Sequence, residues 1–408
     1  MKKLSILVVA ALLCVFALPA FAQDKADWSF YGSIRLWTAW ESYDKEAPAI
    51  NFGAPNTFRN QPHWPTGSAV GFDDSDLWFG MQYNARIGAN VKWGDVGGRF
   101  EFGNLAQEGS GTGADSEHVR LLYGTWNFGA GTLVVGQDYT PYFYPMASNC
   151  GPSGGDCSGV GFATPYGGRK DQIKLIMGGF QLAFIEPAVR VNNGSGLPVQ
   201  GQLLKAGIPN NRSTDIDRTI PKIEASYNFN AGPANIWFGG GFNTIKSVWI
   251  DGTSEKDVSV TAWTLGVGAK LPIGPFYVNF AGQYGRNPGD YGLPVYGPVV
   301  FAALNAAEDD TEDAKFWAAG LAAGFKLTSA LSFEAGGLYV STKQDVGANQ
   351  FEWPYSSFYL VANWSPAKNV FLTPEIGVVN FGDFKETGQP DLDLGNLWYA
   401  GIKWMINF

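Results

Sequence analysis

Apolar residues along this chain fall at every second position rather than in continuous runs. Residues 77–93 show the pattern best. Leu77, Phe79, Met81, Tyr83, Ala85, Ile87, Ala89, Val91 and Trp93 share one parity, and Gln82, Asn84, Arg86, Asn90 and Lys92 lie between them. Period-two alternation places the two classes on opposite faces of a β-strand. The segment is longer than the ~5–6 residues of an ordinary globular strand, and long enough for the ~9–11 tilted residues that cross a bilayer. The same alternation recurs at 28–40, with Trp28, Phe30, Ile34, Leu36 and Trp40 on one face. It recurs at 258–271, and at the chain end, where Trp398, Ala400, Ile402, Trp404, Ile406 and Phe408 share a parity.

Sixteen such segments are predicted, at 28–41, 77–93, 99–106, 118–128, 132–138, 169–177, 180–186, 218–229, 235–245, 258–271, 276–285, 314–327, 331–341, 356–365, 370–382 and 395–408. The connections alternate in length. Short ones rich in Gly, Pro, Asn and Ser, such as Gly94 to Gly98 and Pro272 to Pro275, have the chemistry of tight hairpins. The others are long and polar: 42–76, 107–117, 139–168, 187–217, 246–257, 286–313, 342–355 and 383–394. An even strand count with short turns at one end and long loops at the other predicts an all-β fold, a transmembrane antiparallel β-barrel. Closure is required, because an open sheet edge in lipid leaves backbone groups unpaired at several kcal/mol each. Two segments fit less well: 99–106 is short, and Pro374 in 370–382 cannot donate to a ladder.

Composition sharpens this reading. The chain is 45% hydrophobic and 15% aromatic but only 16% charged, which excludes intrinsic disorder. No apolar run after residue 22 reaches the roughly 18–20 residues of a spanning helix. A net charge of −9 argues against a nucleic-acid binder. Residues 1–22 have the form of a secretory signal peptide: Lys2 and Lys3, an apolar Leu4 to Leu18, and Ala20-Phe21-Ala22 before a mature start at Gln23. The remaining residues, 23–408, then form one domain. Cys150 and Cys157 remain after export, and in an oxidising compartment an even pair closing a small loop predicts a disulfide.

The signal segment, the sixteen amphipathic strands and a last strand ending in Phe408 together resemble the outer-membrane porins of Gram-negative bacteria. Within that family the chain resembles the homotrimeric porins of sulfate-reducing bacteria. The resemblance covers the whole mature chain. It implies an outer-membrane homotrimer in contact with lipid and lipopolysaccharide, and a passive channel for small hydrophilic solutes and ions. It also implies that Trp404, Ile406 and Phe408 form the signal read by the barrel-assembly machinery. It further implies a third long loop, here 139–168, folded into the barrel as a constriction. The short acidic motif of many enteric porins is missing from that loop, which carries the Cys pair instead.

A barrel of this size is too wide for side chains to fill and leaves an aqueous channel. The polar parity therefore faces water. Early strands present Arg35, Arg86, Arg99 and Arg120 on that parity, and the sixth presents Lys170 and Lys174. These six predict one basic wall, with Asp138 and Asp156 at the loop as acids facing it. Ordinary solvated lumen charge is the alternative, and the two readings stand level. Tyr139, Tyr142, Phe143 and Tyr144 invite a sugar-stacking reading and a substrate-specific channel for sugars or carboxylates. Packing of the loop against the wall is the preferred account. Asp73, Asp74 and Asp76 form an oxygen-rich cluster that could take calcium, although a charge run is usually just solvated. No cofactor is required. Enzyme signals fail: the histidines are His63 and His118, and no G-x-S-x-G elbow sits in a strand-turn-helix setting.

Overall fold

The computed structural model describes residues 25–43, 75–82, 84–104, 117–151, 164–187, 190–192, 198–200, 214–251, 254–291, 302–305 and 309–408. Sixteen antiparallel strands close into one barrel. They are β1 (Asp27–Tyr43), β2 (Ser75–Met81 continued by Arg86–Trp93), β3 (Val96–Asn104), β4 (Glu117–Asn127), β5 (Thr132–Tyr139) and β6 (Arg169–Met177). There follow β7 (Phe180–Ile185), β8 (Thr214–Asp217 continued by Lys222–Ala231), β9 (Ala234–Asp251), β10 (Ser254–Ile273) and β11 (Phe276–Arg286). The last five are β12 (Ala314–Lys326), β13 (Leu331–Val346), β14 (Asn349–Ala367), β15 (Val370–Asn380) and β16 (Asn396–Asn407). Closure comes from β1 pairing with β16 over eleven residues, from Ser33↔Asn407 to Tyr43↔Leu397. Two further hydrogen bonds between Gly32 and Phe408 tie the chain end to the seam.

Parity decides which way each side chain faces. Phe30, Leu77, Phe79 and Leu265 are among the most exposed large apolar residues, with Phe30 at 75%. They stand on the face that a bilayer would cover. Trp93, Tyr227, Trp364 and Trp404, near strand ends, are also exposed, as an interface girdle requires. The opposite parity carries Arg120, Glu224, Glu334 and Glu375, all buried.

The structure departs from the alternation in three places. First, the segment 77–93 is one barrel strand in two pieces. Between Leu36↔Met81 and Ser33↔Arg86, three steps of β1 face five steps of β2. An insertion of two residues leaves the parity unchanged, so the sequence pattern runs through it unbroken. Gln82 and Asn84 are buried at this break, where Ala85 N–H donates to Gln82 O. Second, residues 246–257 and 342–355 are not open loops. β9 and β10 continue pairing to Asp251↔Ser254, and β13 and β14 to Val346↔Asn349. These hairpins outrun the apolar stripe, so their outer ends lose the lipid-facing signature that marks the rest. Third, Pro374 sits inside β15 without breaking it. Pairing with β16 continues through Pro374↔Ile402, while on the β14 side it skips from Val361↔Glu375 to Trp364↔Leu372. The missing N–H therefore falls on one ladder only.

Candidate functional site

The loop after β5 enters the barrel and follows its inner wall. Its root is pinned at β5 and β6: Gln172 Nε2 donates to Asp138 O and Tyr139 O, and Lys174 Nζ donates to Tyr139 O at 2.8 Å. The Arg169 guanidinium lies over the Tyr139 ring. Beyond the root, three glutamates from well-separated strands accept the loop's backbone N–H groups. Glu224 of β8 accepts from Tyr142 at 3.0 Å. Glu334 of β13 accepts from Ser148 N–H at 2.7 Å and its hydroxyl at 2.9 Å. Glu375 of β15 accepts from Cys150 at 2.6 Å and Gly151 at 3.0 Å. Asn279 of β11 donates to Met146 O and Asn363 of β14 to Ser148 Oγ. A carboxylate accepting backbone N–H groups forms charge-assisted bonds, stronger than neutral ones.

Side chains of the loop fit a floor of small residues. A Cβ at Gly266 would lie 3.0 Å from Tyr142 Oη, one at Gly268 2.4 Å from the Tyr144 ring, and one at Gly320 2.9 Å from Met146. The glycine excess thus has a use beyond turns: it clears the wall where the loop lies. Tyr142 donates its hydroxyl to Gln283 at 2.9 Å and sits 2.7 Å from Thr264 Oγ1. Burial pushes the Tyr142 and Tyr144 phenols above their usual range, so both stay neutral. Both rings are buried, which leaves no face for a sugar and favours the packing account. Tyr139 stacks on Phe143 near the loop root, and Tyr166 meets Tyr139 at a tilt and Phe143 edge-on.

The basic residues gather on the other side of the lumen, on β1 to β6. Arg86, Arg99 and Arg120 converge on Glu101 of β3, at 3.5, 3.0 and 2.7 Å. Tyr31 Oη donates to the same carboxylate at 2.8 Å and accepts from Arg99 Nε at 2.7 Å. Glu101 was not among the residues singled out from sequence. A bulge helps to gather the cluster: Glu101 pairs with Leu121 and Phe102 with Val119, so Arg120 is the extra residue between them. Arg35 donates to Ser33 Oγ, and Lys170 pairs with Asp138 across β5 and β6. Asp138 does not face this wall but belongs to it, with Lys174 Nζ 2.5 Å from its carboxylate. Strand register puts both residues on one face, which excludes the opposing role expected of Asp138.

Other expected residues fall partly outside the described regions. Cys150 is buried and disulfide-bonded, packed with Trp37, Ala39 and Tyr399. Cys157, Asp156, Asp73, Asp74 and the signal segment lie outside the described residues, and of Asp76 only the backbone is described, paired with Glu41. Among the described residues no group of three or more His, Cys, Asp or Glu could hold a metal. Trp404, Ile406 and Phe408 all lie on the outer face of the seam strand, with the Phe408 ring over Gly32.

A closed barrel with a polar lumen and an inward-folded loop defines a transmembrane diffusion channel. The model of the Gram-negative porin family matches residues 9–359, and the chain belongs to that family. No curated protein matches the chain. Among solved structures, the outer membrane channel DcaP of Acinetobacter baumannii is similar at a TM-score of 0.61 and 16% identity, covering 96% of this chain and 100% of that one. The trimer form of OmpT of Vibrio cholerae is similar at 0.53 and 15%, covering 94% and 100%. An anion-selective porin from Comamonas acidovorans is similar at 0.52 and 12%, covering 94% and 100%. At such identities the likeness is one of fold. The protein is an outer-membrane channel for passive diffusion and not an enzyme.

Proposed function

We propose that solutes pass between the basic strands β1–β6 and the loop following β5, and that this eyelet favours small hydrophilic anions over cations. One observation carries the reading. The wall holds six bases, Arg35, Arg86, Arg99, Arg120, Lys170 and Lys174, against three acids, Glu41, Glu101 and Asp138. The carboxylates on the loop's side are occupied by backbone N–H groups and phenols, and Glu224 also by the Lys222 ammonium at 3.0 Å. A ring of fixed charge selects ions by sign, so the uncompensated bases set the field. The similar fold of an anion-selective porin agrees with this. The test is single-channel recording in a planar bilayer under a salt gradient. Replacing Arg86 and Arg120 with Gln should move the reversal potential toward cations, and an unchanged potential removes the role. A series of sugars and carboxylates in the same recordings separates a general channel from a substrate-specific one, which would show saturable block by one solute of the series alone.

The same reading includes a homotrimer. A groove of about 580 Å³ on the lipid-facing surface, lined by Trp40, Leu77, Phe333, Leu360, Pro374 and Ile376, supports it. So does the trimer form of a similarly folded protein. Heat-sensitive migration of an oligomer in detergent gels tests it. The reading also includes removal of residues 1–22, a disulfide from Cys150 to Cys157, insertion by the barrel-assembly machinery and contact with lipopolysaccharide.

A further inference from the structure

We infer that the channel carries a second anion site, next to the Arg35 end of the basic wall: a subsite for a small oxyanion at the short-turn mouth, built around Lys403. A cavity of about 450 Å³ opens there, lined by β12 to β16. Lys403 of β16, Lys326 of β12, Asn363 of β14 and Thr373 of β15 supply its polar groups, with Ser329 and Ser332 at its edge. Lys403 is the unusual member. It is 92% buried, with only 8% of its surface exposed. Among the described residues no hydrogen bond or ion pair within 4 Å is found for its ammonium. Charges do surround it: Glu375 attracts it and Arg35 repels it. Glu375 is engaged by Cys150 N–H, Gly151 N–H and the Tyr399 hydroxyl.

A buried ammonium needs acceptors, since desolvating three N–H donors without partners is costly. The cavity that Lys403 lines can bring an acceptor to it. An oxyanion with at least two acceptor oxygens could take donors from Lys403, from the Thr373 hydroxyl and from Lys326 at the mouth. The local backbone helps to form the space. Between Trp364↔Leu372 and Ala367↔Val370 the β14–β15 register slips, and this bulge sits at the cavity edge. The β12–β13 turn closes the other edge, with Thr328 Oγ1 accepting from Ala330 and Leu331 N–H. Asn363 donates to Ser148 Oγ, which places the subsite beside the far end of the constriction loop. Carboxylates and phosphates share the required chemistry, and inorganic phosphate is the simplest probe.

The experiment uses the full-length channel in a planar bilayer, in chloride electrolyte, with inorganic phosphate titrated on each side in turn. Phosphate should reduce the chloride current saturably. Lys403→Gln should raise the half-blocking concentration about tenfold, as loss of a charge-assisted donor predicts. Lys403→Arg should keep the block, and Thr373→Val, which removes one hydroxyl, should weaken it less. Citrate in place of phosphate should block similarly. If Lys403→Gln fails to assemble, Thr373→Val and Lys326→Gln carry the test through the same titration. Arg86→Gln separates this site from the basic wall: it should move the reversal potential and leave the phosphate titration unchanged. Absence of saturable block, or block equal in the wild type and the Lys403→Gln and Thr373→Val variants, overturns the subsite while leaving the wall reading intact.

Discussion

The two sides of the lumen use buried carboxylates in opposite ways. On β3, Glu101 is surrounded by Arg86, Arg99 and Arg120, so one acid organises three cations and leaves excess positive charge facing the pore. On β8, β13 and β15, Glu224, Glu334 and Glu375 accept from backbone N–H groups, two of them also from phenols, and Glu224 is in addition paired with the Lys222 ammonium. There the charge serves attachment. A buried acid acquires its role from its donors: three guanidinium partners make Glu101 part of an electrostatic surface, and backbone N–H partners make Glu224, Glu334 and Glu375 fasteners for a loop, even where Lys222 also pairs with Glu224.

This contrast can be broken from either side. The largest effect is expected at Glu101. Glu101→Leu strands the buried Arg120 without its carboxylate, and removing one partner of a buried pair costs about 3–5 kcal/mol. Thermal unfolding in detergent should show a clearly lowered midpoint. Glu334→Leu comes next. Ser148 loses both its bonds to the carboxylate and keeps only the one from Asn363, and the hydroxyls of Tyr277 and Tyr359 lose theirs. Buried donors left unpaired cost about 1–3 kcal/mol each. The loop should loosen, giving a larger and noisier single-channel conductance with selectivity little changed. Gly268→Ala should cost about 1–3 kcal/mol, because its Cβ would crowd the Tyr144 ring at 2.4 Å. The same recordings should show the loop displaced toward the pore, as reduced conductance. Arg86→Gln should have the smallest effect on stability, below about 1 kcal/mol, since its 3.5 Å contact is partly solvated. Its readout is selectivity rather than unfolding. Equal loss of stability in Glu101→Leu and Arg86→Gln would show that the three arginines do not differ as their burial suggests.

Much of this was legible in advance. Alternation marked all sixteen strands, and parity alone put Arg35, Arg86, Arg99 and Arg120 on the inner face, because a side chain's face in a strand follows from its position. Position and length marked 139–168 as the loop to fold inward, and its described stretch 139–151 lies along the wall with Tyr142 and Tyr144 packed. Glu101 escaped notice for a physical reason. It lies in a short predicted segment, and its importance depends on the registers of β2, β3 and β4, which no local pattern encodes. Asp138 was misread for the same reason: facing or sharing a wall with Lys174 is decided by β5–β6 pairing.

The sequence by itself determined the strands, their two faces and the closure of the sheet, since the bilayer imposes a period of two and forbids a free edge. The tertiary structure decided which charges meet and where the loop goes. Those outcomes turn on pairings between residues far apart in the chain, such as Cys150 with Glu375 and Ser148 with Glu334. Hydrogen bonds of that range, unlike alternation, leave no repeat for a sequence to display.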